Sequence, residues 1–272
     1  MPIALFSNRD YLKNGIIQAA CRNLERDWPP HRHEYYELEL FLSGDGYDCI
    51  DGNQHRIRRG ELYLMSPISF HSVHYDEPTK LINITFPIEM CDANVLAGLF
   101  SDKSYVNCHL SDNDISFIQV IANELIDCLP GAQGASDADI GYLRGLLDCI
   151  LRKVRRLSAN ASEMQEISPI QYAMLYIQNH FMEPLKLPEV SHVINYSPNY
   201  FNTRFKEYTG VSFKQYLSDL RFTVAKQMLE RTDMSVAQIS SECGFRDTSN
   251  FSTGFKQKYG LSPKFYREKK QE

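Results

Sequence analysis

Apolar positions change period once along this chain. From His33 to about Phe86 they alternate or run in short blocks, and from Asp112 onward they recur every three or four residues. The first regime predicts strands and the second helices, because side chains repeat every two residues along a strand and every ~3.6 along a helix. Residues 35–42 alternate and are rich in Tyr, Leu and Phe. Gly44-Asp45-Gly46 marks a turn before a short strand from Tyr47 to Ile50. Asp51-Gly52-Asn53 predicts a tight hairpin, since Asp-Gly supplies the positive φ angles such a turn needs. Arg59-Gly60 turns again before Glu61 to Met65, and Pro67 to Phe70 reads as a loop. Val73 and Leu81 to Phe86 lie in further strands. Short strands at this spacing predict a small barrel or sandwich. Upstream, Ile16 to Leu24 fits either a strand or a short helix, and Trp28-Pro29-Pro30 is expected to break it.

The helical regime opens with Asp112 to Leu129, where Ile115, Ile118, Ile121, Leu125 and Leu129 form one stripe and Ser111 or Asp112 offers a cap. Pro130 to Ser136 is a loop, and Asp137 to Leu157 is a second helix whose basic end suits the negative pole of a helix dipole. The pair forms a hairpin that either pads the β domain or joins two chains. Ser158 to Ser168 is polar and aperiodic, which predicts a linker. Beyond it every apolar stripe is helical. The longest stripe, within Phe213 to Arg231, carries Tyr216, Leu217, Leu220, Val224, Ala225, Met228 and Leu229.

The C-terminal region writes a single pattern twice, from Leu187 to Gly210 and from Val236 to Gly260. Phe201, Phe205, Lys206 and Gly210 match Phe251, Phe255, Lys256 and Gly260 at an offset of 50, whereas Leu187 and Val190 match Val236 and Ile239 at 49. The second copy therefore carries one extra residue at its turn. Each copy reads as helix, short turn, helix. Ser197 with Pro198 caps the second helix of the first copy, and Asp247 takes that place in the second. With the phenylalanines inward, Asn199, Asn202, Thr203 and Lys206 face out in the first copy. The matching outward set is Thr248, Ser249, Ser252, Thr253 and Lys256. Short polar side chains near a helix N-terminus, followed by a lysine, suit a helix that reads base edges in a major groove while cations hold phosphate.

Composition adjusts this picture at three points. The net charge of −5 divides into −9 over residues 1–167 and +4 over residues 168–272, so the repeat lies in the region suited to a polyanion. The seven cysteines, at 21, 49, 91, 108, 128, 149 and 243, form no CxxC pair, which argues against structural zinc and a disulfide framework and for reduced thiols in a cytosol. No run of apolar residues is long enough to span a membrane, and the N-terminus does not read as a signal peptide.

Residues 170–267 resemble the DNA-binding domain of the AraC/XylS family of bacterial transcription regulators. The resemblance rests on Ser197-Pro-Asn-Tyr-Phe, Phe205-Lys206 and Thr209-Gly210, and on Arg221, Ala225 and Leu229 in the linking helix. It rests further on Ile239-Ser-Ser-Glu-Cys-Gly-Phe245, Phe251, Phe255-Lys256 and the tail Gly260-Leu-Ser-Pro-Lys-Phe-Tyr-Arg267. Two features depart from that family's pattern. Ser191 and Ser240 stand where it favours Ala, and Thr203 and Thr253 where it often has Arg.

A second resemblance lies near the N-terminus. His31-Arg-His33-Glu-Tyr-Tyr-Glu37 with Gly44 is similar to the first metal motif of the cupins, and His71 or His74 could add a third histidine. The glycine expected before the first histidine is missing and the spacing from Pro67 to His71 is one residue short, so a metal-free pocket is expected. The resemblance to AraC-type regulators implies a small effector there and no cofactor. Candidate effector contacts are His31, His33, Tyr35, Glu37 and His71, with Glu39 and Arg32 as further candidates.

The expected fold is α+β with two domains: a cupin-like β-barrel over 1–110 with a helical hairpin over 111–157, a linker over 158–168, and an all-α domain over 169–272 whose two helix-turn-helix motifs are joined by a long helix. The expected function is sequence-specific transcription regulation, not catalysis. The implied partners are double-stranded promoter DNA, a small effector (a sugar in many relatives), a second copy of the chain, and RNA polymerase if the protein activates. The competing expectation is a metal-dependent cupin enzyme fused to DNA-binding helices.

Overall fold

Strands in the first 110 residues pair into two five-stranded sheets. In this computed structural model, residues 4–6, 12, 16–100, 103–129, 136–158 and 168–271 are described. The strands are β1 (Ala4–Phe6), β2 (Gln18–Leu24), β3 (Trp28–His33), β4 (Tyr36–Ser43), β5 (Gly46–Ile50), β6 (Asn53–Ile57), β7 (Glu61–Met65), β8 (His71–Tyr75), β9 (Thr79–Phe86) and β10 (Tyr105–His109). One sheet runs β1-β3-β8-β5-β6 and the other β10-β7-β4-β9-β2. The hairpin between β5 and β6 turns on Asp51 and Gly52, both at positive φ, and pairs Ile50 with Asn53. Helix α1 (Ala93–Phe100), a helix the alternation did not predict, precedes β10.

The sheets face each other across a core of Phe41, Ile50, Ile57, Tyr63, Val73 and Leu81, drawn from six strands. Odd-numbered residues of β4 point into this space. Phe41 lies opposite Leu81 at the apolar end, and Glu39 and Glu37 lie opposite Asn83 and Thr85 at the other. The even positions Leu38 and Leu40 are fully buried too, so β4 is covered on both faces and its alternation cannot reveal the inside. Tyr36 on that outer face meets the Phe100 ring of α1 at 5.3 Å.

Two segments upstream are decided by their strand pairing. The segment Trp28-Pro29-Pro30 is strand β3, not a break. Its pairing with β8 shifts register between Trp28 and His31, and such an irregularity houses prolines that cannot donate to the ladder. The segment Gln18–Leu24, whose pattern fits strand or helix, is a strand paired along its length with β9.

Helices α2 (Asp112–Asp127) and α3 (Asp137–Ser158) follow and pack on each other. Ser111 caps α2 by accepting from the Asp114 N–H. Leu129 falls past the helix end, and Ala122 is buried in the stripe. The loop expected over residues 130–136 and the linker expected over 158–168 lie almost wholly outside the described residues.

A second unit comprises Ser168–Glu272. It contains α4 (Pro169–His180), α5 (Leu187–Val193), α6 (Pro198–Thr209), α7 (Phe213–Arg231), α8 (Val236–Glu242), α9 (Thr248–Tyr259) and α10 (Pro263–Gln271). A capping box starts α4, where Ser168 Oγ accepts from the Gln171 N–H and the Gln171 side chain accepts from the Ser168 N–H. On α7 the buried set is wider than the predicted stripe. Phe222 is buried while Tyr216 and Leu220 are only half-buried, because α7 packs on both helix pairs.

Candidate DNA-reading helices and barrel pocket

The two helix pairs, α5–α6 and α8–α9, repeat at the level of single hydrogen bonds. The Tyr196 N–H donates to Ser191 O at 2.9 Å, and the Phe245 N–H donates to Ser240 O at 3.0 Å. Asn195 (φ 55°) and Gly244 (φ 75°) hold the left-handed turn position in each. All these matches are 49 apart. The caps Ser197 and Asp247 are 50 apart, and each accepts from the N–H three residues on. The extra residue of the second copy is therefore inserted between the turn and the cap, at Phe245–Arg246.

Phe201, Phe205, Phe251 and Phe255 are fully buried, which fixes the outward faces of α6 and α9. Asn199, Asn202, Thr203 and Lys206 are exposed, as are Thr248, Ser249, Thr253 and Lys256. Ser252 departs from expectation and is half-buried. Thr203 spends its hydroxyl proton within the helix, donating to Asn199 O at 3.1 Å. Asn250 is exposed on the first turn of α9, a carboxamide that outward-face counting from the phenylalanines should have included. Its counterpart in the first copy is Tyr200, a residue of different chemistry, so the repeat itself conceals it. The copies also differ where Arg204 matches Gly254. A Cβ at Gly254 would lie 2.6 Å from the Phe222 ring, which packs 4.8 Å from the Phe245 ring. By length, the 19 residues of α7 separate the two pairs by about 28 Å.

The barrel pocket is lined by Arg22, Trp28, His31, Tyr35, Glu37, Glu39, His71 and Asn83 among others. Its cavity is about 40 Å³, room for a few water molecules at about 10–15 Å³ each. His31, His33, Tyr35, Glu37 and His71 are all buried and lie close together. His74 is exposed and paired with Asp27 at 2.7 Å, so His71 is the third histidine. Arg32 faces away, donating to Pro67 O at 3.4 Å with its guanidinium 6.0 Å from the Phe70 ring centre.

Around Glu37 the contacts are short. His33 Nε2 lies 2.7 Å and His71 Nε2 3.4 Å from Glu37 Oε2, and the two nitrogens are 3.2 Å apart. The Asn83 amide donates to Glu37 Oε1 at 2.7 Å. Burial works against ionisation of Glu37, but His33 and His71 outweigh it and hold this carboxyl well below its usual range. Glu39 goes the other way: burial, then the Glu37 and Asp48 carboxylates, push it well above. Burial lowers the His31 imidazole well below its usual range, with His71 and His33 adding to the effect. His71 is raised well above its usual range because Asp48 and Glu37 outweigh its burial. Asp48 and Asn83 are interior polar residues that sequence reasoning missed. An Asp two residues after Gly46 and two before Ile50, in a short strand, was the available signal for Asp48.

Residues 17–151 match the family model of an AraC-like ligand binding domain, and residues 190–269 match that of a helix-turn-helix domain. This chain belongs to the AraC/XylS family. Similar proteins include the HTH-type transcriptional activators RhaS of Salmonella arizonae, 25% identical over 267 residues, and of Escherichia coli O81, 23% identical over 267 residues; each match covers 95% of both chains. Among solved structures, the C-terminal domain of AraT, a response regulator from Geobacillus stearothermophilus, is 33% identical, covers 38% of this chain and 86% of that chain, and has a TM-score of 0.37. ToxT from Vibrio cholerae O395 is 14% identical, covers 92% of this chain and 96% of that chain, and has a TM-score of 0.41. As an AraC/XylS-family member with both a ligand-binding and a helix-turn-helix domain, the chain is an effector-controlled, DNA-binding transcription regulator. Among the described residues no helix is long and apolar enough to cross a membrane.

Proposed function

We propose that this regulator works as a homodimeric activator in the cytoplasm, reading promoter DNA with α6 and α9 and contacting RNA polymerase once positioned. The observation that carries the reading is the repeated arrangement of caps, buried phenylalanines and exposed polar residues on these two helices. Asn199 and Asn202 read bases, because a carboxamide pairs with adenine through both its donor and its acceptor. Lys206 and Lys256 hold phosphate, with Thr248, Ser249, Ser252, Thr203 and Thr253 in shorter-range polar contacts. The α2–α3 hairpin joins two chains through the exposed Phe117, Val120 and Tyr142.

The effector is a small polar molecule, with a sugar as the leading class. The Glu37 carboxylate, the Glu39 carboxyl, the Asn83 amide and the Trp28 ring suit a polyhydroxylated ligand with one apolar face. Because the cavity is small, entry requires the half-buried rim at Leu24 and Trp28 to open. Such a ligand shifts the population between DNA-binding arrangements. Footprinting of the full chain on its promoter, with and without sugars that raise its thermal midpoint, tests both claims. A full chain that protects no promoter segment at low salt would sink the DNA-reading assignment. Protection unchanged by every stabilising sugar would sink the effector class alone.

A further inference from the structure

We propose that His31, His33, Glu37 and His71 bind a divalent first-row transition-metal ion at the floor of the barrel pocket. The sequence departures favour a metal-free pocket, whereas the geometry of the donor atoms favours an ion. One donor atom from each of the four buried residues lies within 4.8 Å of every other. Three of them, His33 Nε2, His71 Nε2 and Glu37 Oε2, are separated by 2.7, 3.2 and 3.4 Å.

These separations discriminate among possible occupants. An ion with bonds of about 2.1 Å holds its neighbouring ligands about 3.0–3.4 Å apart in octahedral or tetrahedral geometry. A bridging water with hydrogen bonds of about 2.8 Å would hold them about 4.6 Å apart. Direct hydrogen bonds, such as that between His33 Nε2 and His71 Nε2, span similar distances, so an ion would take the place of shared protons here. His33 Nδ1 lies 3.0 Å from Tyr35 O and His31 Nδ1 lies 2.9 Å from Pro29 O. A carbonyl only accepts, so each Nδ1 carries a proton and Nε2 is the atom that would meet an ion. Glu37 Oε2 correspondingly receives no hydrogen bond of acceptable geometry despite the two nearby nitrogens. His33 Nε2, His71 Nε2 and Glu37 Oε2 thus converge on one point, the arrangement a cation satisfies.

The surroundings match a metal site as well. Each of the two carbonyl contacts fixes a ring from its far nitrogen, and Asp48 Oδ1 stands 3.6 Å from His71 Nδ1, within reach of the same role after a small adjustment. The Asn83 amide holds the other Glu37 oxygen, leaving Oε2 turned to the imidazoles. Imidazole and carboxylate together suit zinc, iron, nickel or copper over magnesium or calcium.

The test uses the full chain, stripped with a chelator and dialysed against zinc, nickel or cobalt(II). Expected are one ion retained per chain, a thermal midpoint raised by several degrees, and at least tenfold weaker binding in Glu37→Gln. The visible spectrum of the cobalt-loaded wild type supplies a reading that does not depend on the variant folding: ligand-field bands without a thiolate-to-metal band. Retention of less than about one ion per ten chains overturns the proposal. So does a thiolate band, which places the ion on cysteines, or unchanged affinity in a folded Glu37→Gln. These measurements use neither DNA nor effector, so their failure leaves the regulator reading intact, and a failed footprint leaves the ion count intact.

Discussion

Asn195 and Gly244 occupy the same left-handed backbone position, 49 residues apart, each donating its N–H to a carbonyl three residues back. Their surroundings differ. A Cβ at Gly244 would sit 2.5 Å from Met182 O, while Asn195 is exposed. Gly244→Ala is therefore expected to cost about 1–3 kcal/mol, combining positive-φ strain with the clash. Asn195→Gly should change stability by less than about 1 kcal/mol, since Asn tolerates this conformation and Gly does so more easily. Thermal unfolding of both variants checks the contrast. A Gly244→Ala loss of no more than about 1 kcal/mol would show that the turn alone, and not the approach of Met182, dictates glycine.

Ser191 and Ser240, also 49 apart, are both buried. Ser191 Oγ donates to Pro188 O at 3.0 Å, whereas Ser240 Oγ finds no partner among the described residues. A buried hydroxyl without a partner costs more than its removal. Ser240→Ala should leave the thermal midpoint unchanged or raise it, by an amount worth up to about 1 kcal/mol, and Ser191→Ala should lower it by about 0.5–1.5 kcal/mol. A loss in both would mean that Ser240 holds a buried water.

Asn202 and Lys206 stand one helical turn apart on the exposed face of α6. Asn202→Ala should weaken promoter binding by about 1–3 kcal/mol and relax preference at a single base pair. Lys206→Ala should weaken every sequence alike and reduce the salt slope by about one. Asn250→Ala should resemble Asn202→Ala, which tests whether α9 reads sequence or only grips phosphate. Binding titrations on randomised operators at several salt concentrations separate the two signatures. Identical behaviour of the asparagine and lysine variants would undo the sorting of contacts.

Val120 on α2 is 69% exposed beside Phe117 at 45%. A charge there disturbs little of the folded chain, within about 0.5 kcal/mol, but is costly in an apolar interface. Val120→Glu is expected to convert a dimer into a monomer in sedimentation velocity without moving the thermal midpoint of the monomer. A variant that still sediments as a dimer would place the interface elsewhere.

The helical domain was largely legible because its signals are local. Caps at Ser168, Ser197 and Asp247, the αL glycines Gly210 and Gly260, and one-sided phenylalanines each act within a turn or two of chain. The barrel was legible in its turns and less so in its faces. β4 is buried on both sides, so no alternation distinguishes Glu39, which points inward, from Leu38, which points to the helices. β3 was hidden because prolines forbid a regular ladder and only the partner strand reveals the irregularity that admits them. The pocket histidines were found by spacing, yet Asp48 and Asn83 reach the same interior through pairings set by strands far apart in sequence.

The inserted residue between turn and cap has a consequence for how one chain lies on its target. Two readers built alike but entered differently, one presenting Asn199 and Asn202 and the other Asn250 beside small hydroxyls, cannot exchange places. On the proposed reading, a single chain then has a head and a tail along the duplex, and each half of its operator carries a direction. Reversing one half-site without changing its bases' composition should abolish its recognition as surely as deleting it.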